Sequence, residues 1–135
     1  MIEVGGVEHL FKVTGLQTDG RVAVEEFSLA PGAMGARPHV HGSHDEYFYV
    51  ITGELTIHDG IGEQVVTAGS LVAAIRGSAH GFRNAGDAVV RGLNLLTPAG
   101  YENYFRDVHA AVAGGAVLTD AMLATHRARY DTVSL

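Results

Sequence analysis

Four histidines and a glutamate are spaced so that most of them can act at one point. Three of the eight histidines fall in the octapeptide HVHGSHDE, at His39, His41 and His44, and Glu46 closes it. A fourth, His80, lies in a strand-like stretch well downstream. Side chains on an extended strand alternate faces, so His39 and His41 project to one side. Glu46 has the opposite parity and reaches that side only if the chain breaks register. Gly42-Ser43-His44, a glycine followed by two polar residues, has the composition of such a bulge or loop. Beyond the break Phe48 and Val50 share the face of Glu46, while Phe82 and Asn84 share that of His80. Converging inside a barrel, His39, His41, Glu46 and His80 form a nitrogen and oxygen donor set for one divalent transition metal, Fe, Ni, Mn, Co, Cu or Zn. His44 sits in the register break and is expected outside the ligand set. Asp45 rivals Glu46, but its parity would turn Tyr47 and Tyr49 inward in place of Phe48. His9, His58, His109 and His126 lie outside any ligand pattern and read as exposed or satisfied.

Other chemistries find little support. Cysteine is absent, which removes disulfides, thiolate metal sites and cysteine nucleophiles. Lys12 is the single lysine and a weak Schiff-base candidate. The net charge of −6 offers no general attraction to nucleic acid or anionic membranes. No G-x-S-x-G elbow, phosphate loop or dinucleotide fingerprint is present. The start, MIEVGGVEHL, lacks the basic, apolar character of a targeting segment, and no apolar run approaches the ~18 residues of a membrane span. A cytoplasmic protein is expected.

The elements that must position these residues are mostly strands. At 135 residues, 47% of them hydrophobic, the chain has the size and composition of one domain with a packed core. Sixteen of the eighteen glycines fall in the first hundred residues, so turns are dense there and rare afterwards. Between the turns, segments at roughly 8–13, 21–29, 45–51, 54–58, 63–67, 71–75, 80–84 and 88–96 read as strands of an antiparallel sandwich or barrel. In the second of these Val22 and Val24 share one parity and Phe27 and Leu29 the other, which predicts a bulge or burial on both faces. After residue 100 the period changes. Tyr101, Tyr104, Phe105, Val108, Ala111 and Val112 mark an amphipathic helix ended by Gly114-Gly115, and Thr119 can cap a second helix carrying Leu123 and Tyr130. The organisation is thus a barrel over 1–100 and a helical extension over 101–135 packed on it.

At this point the sequence resembles the cupins. The first motif of that superfamily is met by His39, His41, Glu46 and Gly53, and the second by Gly69, Gly77, His80 and Asn84 at the family's spacing. Ile75 stands where proline is usual, and Ala33 where glycine is usual six before His39. These are turn positions, not ligand positions. The resemblance implies an all-β double-stranded β-helix, or jelly-roll barrel, with C-terminal helices. Small single-domain quercetinase-like (quercetin 2,3-dioxygenase-like) proteins are the nearest in character. That likeness implies a metal-dependent dioxygenase in which the metal binds an enol or phenol oxygen, Glu46 takes the proton as base, and dioxygen attacks the activated substrate. Two alternatives keep the fold: a Lewis-acid cyclase, isomerase or decarboxylase of a polyketide-like compound without dioxygen, and a non-catalytic small-molecule-binding cupin.

The expected substrate is small, flat and largely apolar, with an ionisable enol or phenol beside a carbonyl. Phe48, Val50 and Phe82 on the ligand faces, with Leu93 and Leu95 from the late strand, are its expected cavity wall. Arg37, Arg76 and Arg83 have no clear inward direction, so no clamp for a phosphate or dicarboxylate is expected. A homodimer is expected too, because a small barrel with strand edges and two amphipathic helices has more apolar surface than one core covers; segment 21–29 is its candidate seam.

Overall fold

The computed structural model describes residues 1–135. Eleven strands and two helices follow in the order β1 (Ile2–Val4), β2 (Val7–Val13), β3 (Ala23–Leu29), β4 (Met34–His41), β5 (Asp45–Thr52), β6 (Glu54–His58), β7 (Glu63–Thr67), β8 (Leu71–Ala74), β9 (Ala79–Arg83), β10 (Val90–Thr97), α1 (Glu102–Ala113), α2 (Asp120–Ala128) and β11 (Thr132–Ser134). All strand pairs are antiparallel. They form a six-stranded sheet in the order β1-β2-β3-β10-β5-β8 and a five-stranded sheet in the order β11-β4-β9-β6-β7. This two-sheet β fold with C-terminal helices is the one expected from the turn spacing. No helix is long and apolar enough to cross a membrane.

The inner faces are set by alternation. Glu46, Phe48 and Val50 of β5 are buried while Tyr47 and Tyr49 point outward, as the register break requires. Phe27, Leu29, Phe48, Val50, Leu55 and Val90 form the heart of the main core, each at most 1% exposed. Full burial of a side chain of this size contributes about 1.5–3 kcal/mol. Gly53 makes the turn from β5 to β6 at φ 87°, where an added Cβ would stand 2.9 Å from Val89 O, so only glycine fits. Asn84 binds the sandwich across its turns: its Nδ2 donates to Leu29 O, Ala30 O and Ala88 O, and its Oδ1 accepts from Gly86 N.

Two expectations are corrected here. β3 alternates cleanly, with Ala23, Glu25, Phe27 and Leu29 inward and Val24 outward, and the register shift falls on its partner β2 between Phe11 and Val13. The apolar pattern misleads because an inward position holds Glu25, whose carboxylate is compensated by His9 (2.8 Å). The second concerns 101–135, which is more than a helical extension. Its helices build a second core from Ala23, Leu96, Tyr101, Tyr104 and Val108, and β11 then pairs with β4 opposite His39 and His41. Thr119 caps α2 as expected, its side chain accepting from Met122 N.

Candidate metal centre and its cavity

The register break in HVHGSHDE is held by the far end of the chain. Gly42 N donates to Asp131 O (2.8 Å), the Ser43 hydroxyl donates to the Asp131 carboxylate, and a Cβ on Gly42 would lie 2.5 Å from that carboxylate. His39 and His41 from β4, His44 and Glu46 across the break, and His80 from β9 are all 5% exposed or less. His39 faces His80 in the strand register. Around Glu46 the contacts are tight: Oε1 lies 3.3 Å from His41 Nε2 and 3.2 Å from His44 Nε2, and Oε2 lies 3.1 Å from His80 Nε2. The potential ligand atoms of His39, His41 and His80, and those of His41, His44 and Glu46, each lie within 4.8 Å of one another.

The structure therefore brings together all four expected ligands and adds His44. His44, expected in the break and outside the ligand set, lies on the inner side of that break against Glu46, and its ring packs 4.0 Å from that of His41. Asp45, the rival of Glu46, points outward to Arg76.

Tautomers decide whether a cation fits. His39 Nδ1 lies 2.7 Å from Arg37 O, a pure acceptor, so Nδ1 carries the proton and Nε2 the lone pair. The Thr132 hydroxyl donates to Tyr130 O (3.0 Å), so at 2.8 Å from His41 Nδ1 its oxygen must accept. His41 Nε2 is then a lone pair as well. These two Nε2 atoms face each other at 3.1 Å with no proton to share, an arrangement that a cation between them stabilises. Protonation is no remedy, because burial, reinforced by the charges of His80 and Arg127, lowers His39 to about 3. Burial likewise lowers His41, against the charge of Glu46. For Glu46 burial acts upward, yet the hydrogen bonds from His44 and His80, with His41 close by, prevail and hold it well below the carboxylate range. The neutral imidazoles of His39 and His41 beside an ionised carboxylate suit a divalent transition metal. His80 Nδ1 is buried without a partner, so its ring lacks the rear support that Arg37 O and Thr132 give the other two.

A cavity of about 240 Å³ opens beside the cluster, reached by His39 and Glu46 on one side and floored by Val7, Phe82, Phe105, Val108 and Leu123. Of the expected wall, Phe82 lines it. Phe48 and Val50 belong to the closed core behind it, Phe48 with its ring 6.0 Å from His80. Leu93 and Leu95 do not reach it: the inward residues of β10 are Val90, Gly92, Asn94 and Leu96, so Asn94 occupies the wall between the two leucines. Tyr101 covers the cluster, its ring 4.6 Å from both His41 and His44, and burial raises its phenol well above 10.

The opposite wall is polar in places the sequence did not signal. His9 Nδ1 lies 2.8 Å from Glu25 Oε2, its ring stacks on Phe105 at 4.3 Å, and its Nε2 has no protein partner. Asn94 Nδ2 reaches Glu25 Oε1 at 3.4 Å, leaving Asn94 Oδ1 buried and unpaired. Arg127 of α2 also faces the cavity at 5% exposure. Thr132, Tyr101 and Arg127 all come from the last third of the chain, where helical spacing marked only packing. His58, His109 and His126 are satisfied locally, by Gly60 N, Glu3 O and Met122 O.

Comparison with known proteins agrees with the fold. The family described as Cupin domain matches residues 25–96, more than half of the chain. No curated protein matches the sequence. Among solved structures, the chain is similar to a predicted oxalate decarboxylase from Thermotoga maritima, at 22% identity and TM-score 0.64, covering 68% of this chain and 80% of that one. It is similar to a cupin-superfamily sugar phosphate isomerase from Silicibacter pomeroyi, at 29% identity and TM-score 0.61, over 68% and 59%. It is also similar to the polyketide cyclase RemF from Streptomyces resistomycificus, at 22% identity and TM-score 0.62, over 70% and 68%.

Proposed function

This chain belongs to the cupin family, and from the cluster it carries we propose that it is a metal-dependent enzyme of small enol- or phenol-bearing molecules, with quercetinase-like dioxygenation as its reaction. The observation that carries the reading is the pair of His39 and His41 lone pairs facing each other at 3.1 Å beside the ionised Glu46. His39, His41, Glu46 and His80 would hold the metal, with His44 against Glu46. When bound, a divalent transition metal supplies a Lewis-acid contact to an enol or phenol oxygen and, if redox-active, a route to dioxygen.

The residues of the chain account for the rest. Glu46 takes the proton of the substrate O–H at one carboxylate oxygen, after releasing one of its imidazole contacts. Phe82 and Phe105 flank a flat substrate, and Tyr101 keeps water from the cluster.

One observation favours a second reading, in which no dioxygen is used. His9, held by Glu25 with Nε2 unpartnered in the cavity wall, is placed to move a second proton. Isomerisation, decarboxylation or cyclisation of an enolate needs such a transfer, and dioxygenation does not. Oxygen uptake by the metal-loaded protein with flavonols and simpler enols separates the two: uptake that stops in Glu46→Gln supports dioxygenation, whereas substrate turnover without uptake, lost in His9→Phe, supports the second.

We also propose a homodimer. β3 lies inside its sheet, and its outward Val24 joins Tyr47, Tyr49, Leu93, Leu95 and Leu10 on the outer face, a surface suited to a second copy. Light scattering at micromolar concentration tests this, a monomer being the contrary result.

A further inference from the structure

Arg127 is a buried cation without a counter-ion. Arg37, Arg76, Arg83 and Arg91 each pair with a carboxylate, at Asp120, Asp45, Glu63 and Glu26 respectively. Arg127 is far more buried than any of these and pairs with none. Its Nη1 donates to Ser134 Oγ (3.0 Å), the Tyr104 hydroxyl lies beside it, and its Nε is enclosed with no partner. Buried charges are costly unless paired, so a guanidinium kept in this state within a cavity wall marks a place where something else brings the negative charge. The expectation of no anion clamp weighed only Arg37, Arg76 and Arg83, because Arg127 lies in the helical region rather than near either histidine motif.

We propose that the cavity binds an organic carboxylate whose counter-ion is the guanidinium of Arg127. This deepens the proposed function by giving the substrate an anionic end, and it rests on that reading only for the assumption that the same molecule also reaches the cluster. A carboxylate fits better than a phosphate: one planar guanidinium matches one carboxylate through paired N–H donors, whereas a dianionic phosphate would be left with a single cation. Asn94 Oδ1, buried and unpartnered in the same wall, and His9 Nε2, left a lone pair by the Nδ1 contact to Glu25, are acceptors positioned to meet hydroxyl groups on the body of the ligand. The apolar floor suits an aromatic or aliphatic body between the two polar ends.

Calorimetric titration with benzoate, benzamide and phenyl phosphate, on chelator-treated and on metal-loaded protein, tests the assignment. We expect benzoate to bind at least tenfold more tightly than benzamide in both forms and to raise the melting temperature where benzamide does not. In Arg127→Met this preference should vanish while the ligand-free melting temperature stays level or rises, since the variant removes an unpaired buried charge. Arg127→Lys, which keeps the charge and loses the fork, should retain a reduced preference and covers the case in which Arg127→Met fails to fold. Equal binding of benzoate and benzamide to wild type, a preference undiminished in both variants, or tighter binding of phenyl phosphate than of benzoate would overturn the inference. A preference seen only with metal and surviving Arg127→Met would place the anion on the metal, which sinks this inference and spares the proposed function. A preference that depends on Arg127 in a protein that takes up no metal does the reverse.

Discussion

On the cluster wall the polar atoms converge, and on the wall across the cavity they stand apart. His39 and His41 are fixed from behind by Arg37 O and Thr132 Oγ1, so their free nitrogens meet at one point with Glu46. His9, Asn94 and Arg127 are each tied to the protein on one side and unpartnered on another. Convergent donors share a single small ion, whereas separated open ones are satisfied only by a molecule large enough to touch several. The difference teaches that two kinds of ligand meet here, an ion held by one wall and an organic molecule read by the other.

Breaking the convergent side should have the largest effect. His80→Ala and Glu46→Gln are expected to lower metal affinity at least about a hundredfold and to abolish turnover, because loss of a ligand exceeds the usual effect of losing its support. Metal analysis after dialysis, with circular dichroism to show an intact β fold, checks this. His9→Phe, across the cavity, should leave metal content unchanged.

A smaller effect is expected behind the cluster. Thr132→Val removes the acceptor that fixes the His41 tautomer and should weaken metal binding about tenfold. His44→Ala should also weaken it, by about ten- to a hundredfold, since it strips Glu46 of a contact at 3.2 Å. Competition with a chromophoric chelator measures both, and wild-type affinity in His44→Ala would return that residue to the role first read for it.

The third expectation is a pH dependence of stability in metal-free protein. In the folded chain burial lowers His39 from 6.5 to about 3, while in the unfolded chain it titrates near its ordinary value. Between these values the unfolded state binds the additional proton, so the contribution is complete above pH 6.5 and is lost as pH falls towards 3. Urea unfolding midpoints should therefore decline over that interval, and less steeply in His39→Phe.

How far the sequence foretold each wall follows from how each is built. The cluster is written in two short segments, where strand parity and one glycine-containing break decide which side chains meet, so His39, His41, Glu46 and His80 were legible, as were eight of the eleven strands; of β4 only the end that carries His39 and His41 was read as extended. The short strands β1 and β11 carry three residues each, too few for an alternation to show. The inward direction of His44 was not legible, because it depends on Asp131, eighty-eight and more positions away in the contacts that hold the break. Leu93 and Leu95 were turned the wrong way because two leucines at alternate positions look like an inner face, and only pairing with β3 and β5 shows that Asn94 is inward. The opposite wall has no motif at all: His9, Glu25, Asn94 and Arg127 come from four different elements and meet only in the folded chain.

The central claim, that the lone pairs of His39 and His41 share one divalent metal with Glu46 and His80, is tested most directly by titrating the chelator-treated protein with Co²⁺ and following its visible absorption. The account predicts a ligand-field band that saturates at about one equivalent per chain and is abolished in the His39→Ala/His41→Ala variant. A wild-type protein that develops no band, or a double variant that develops the same one, would contradict it.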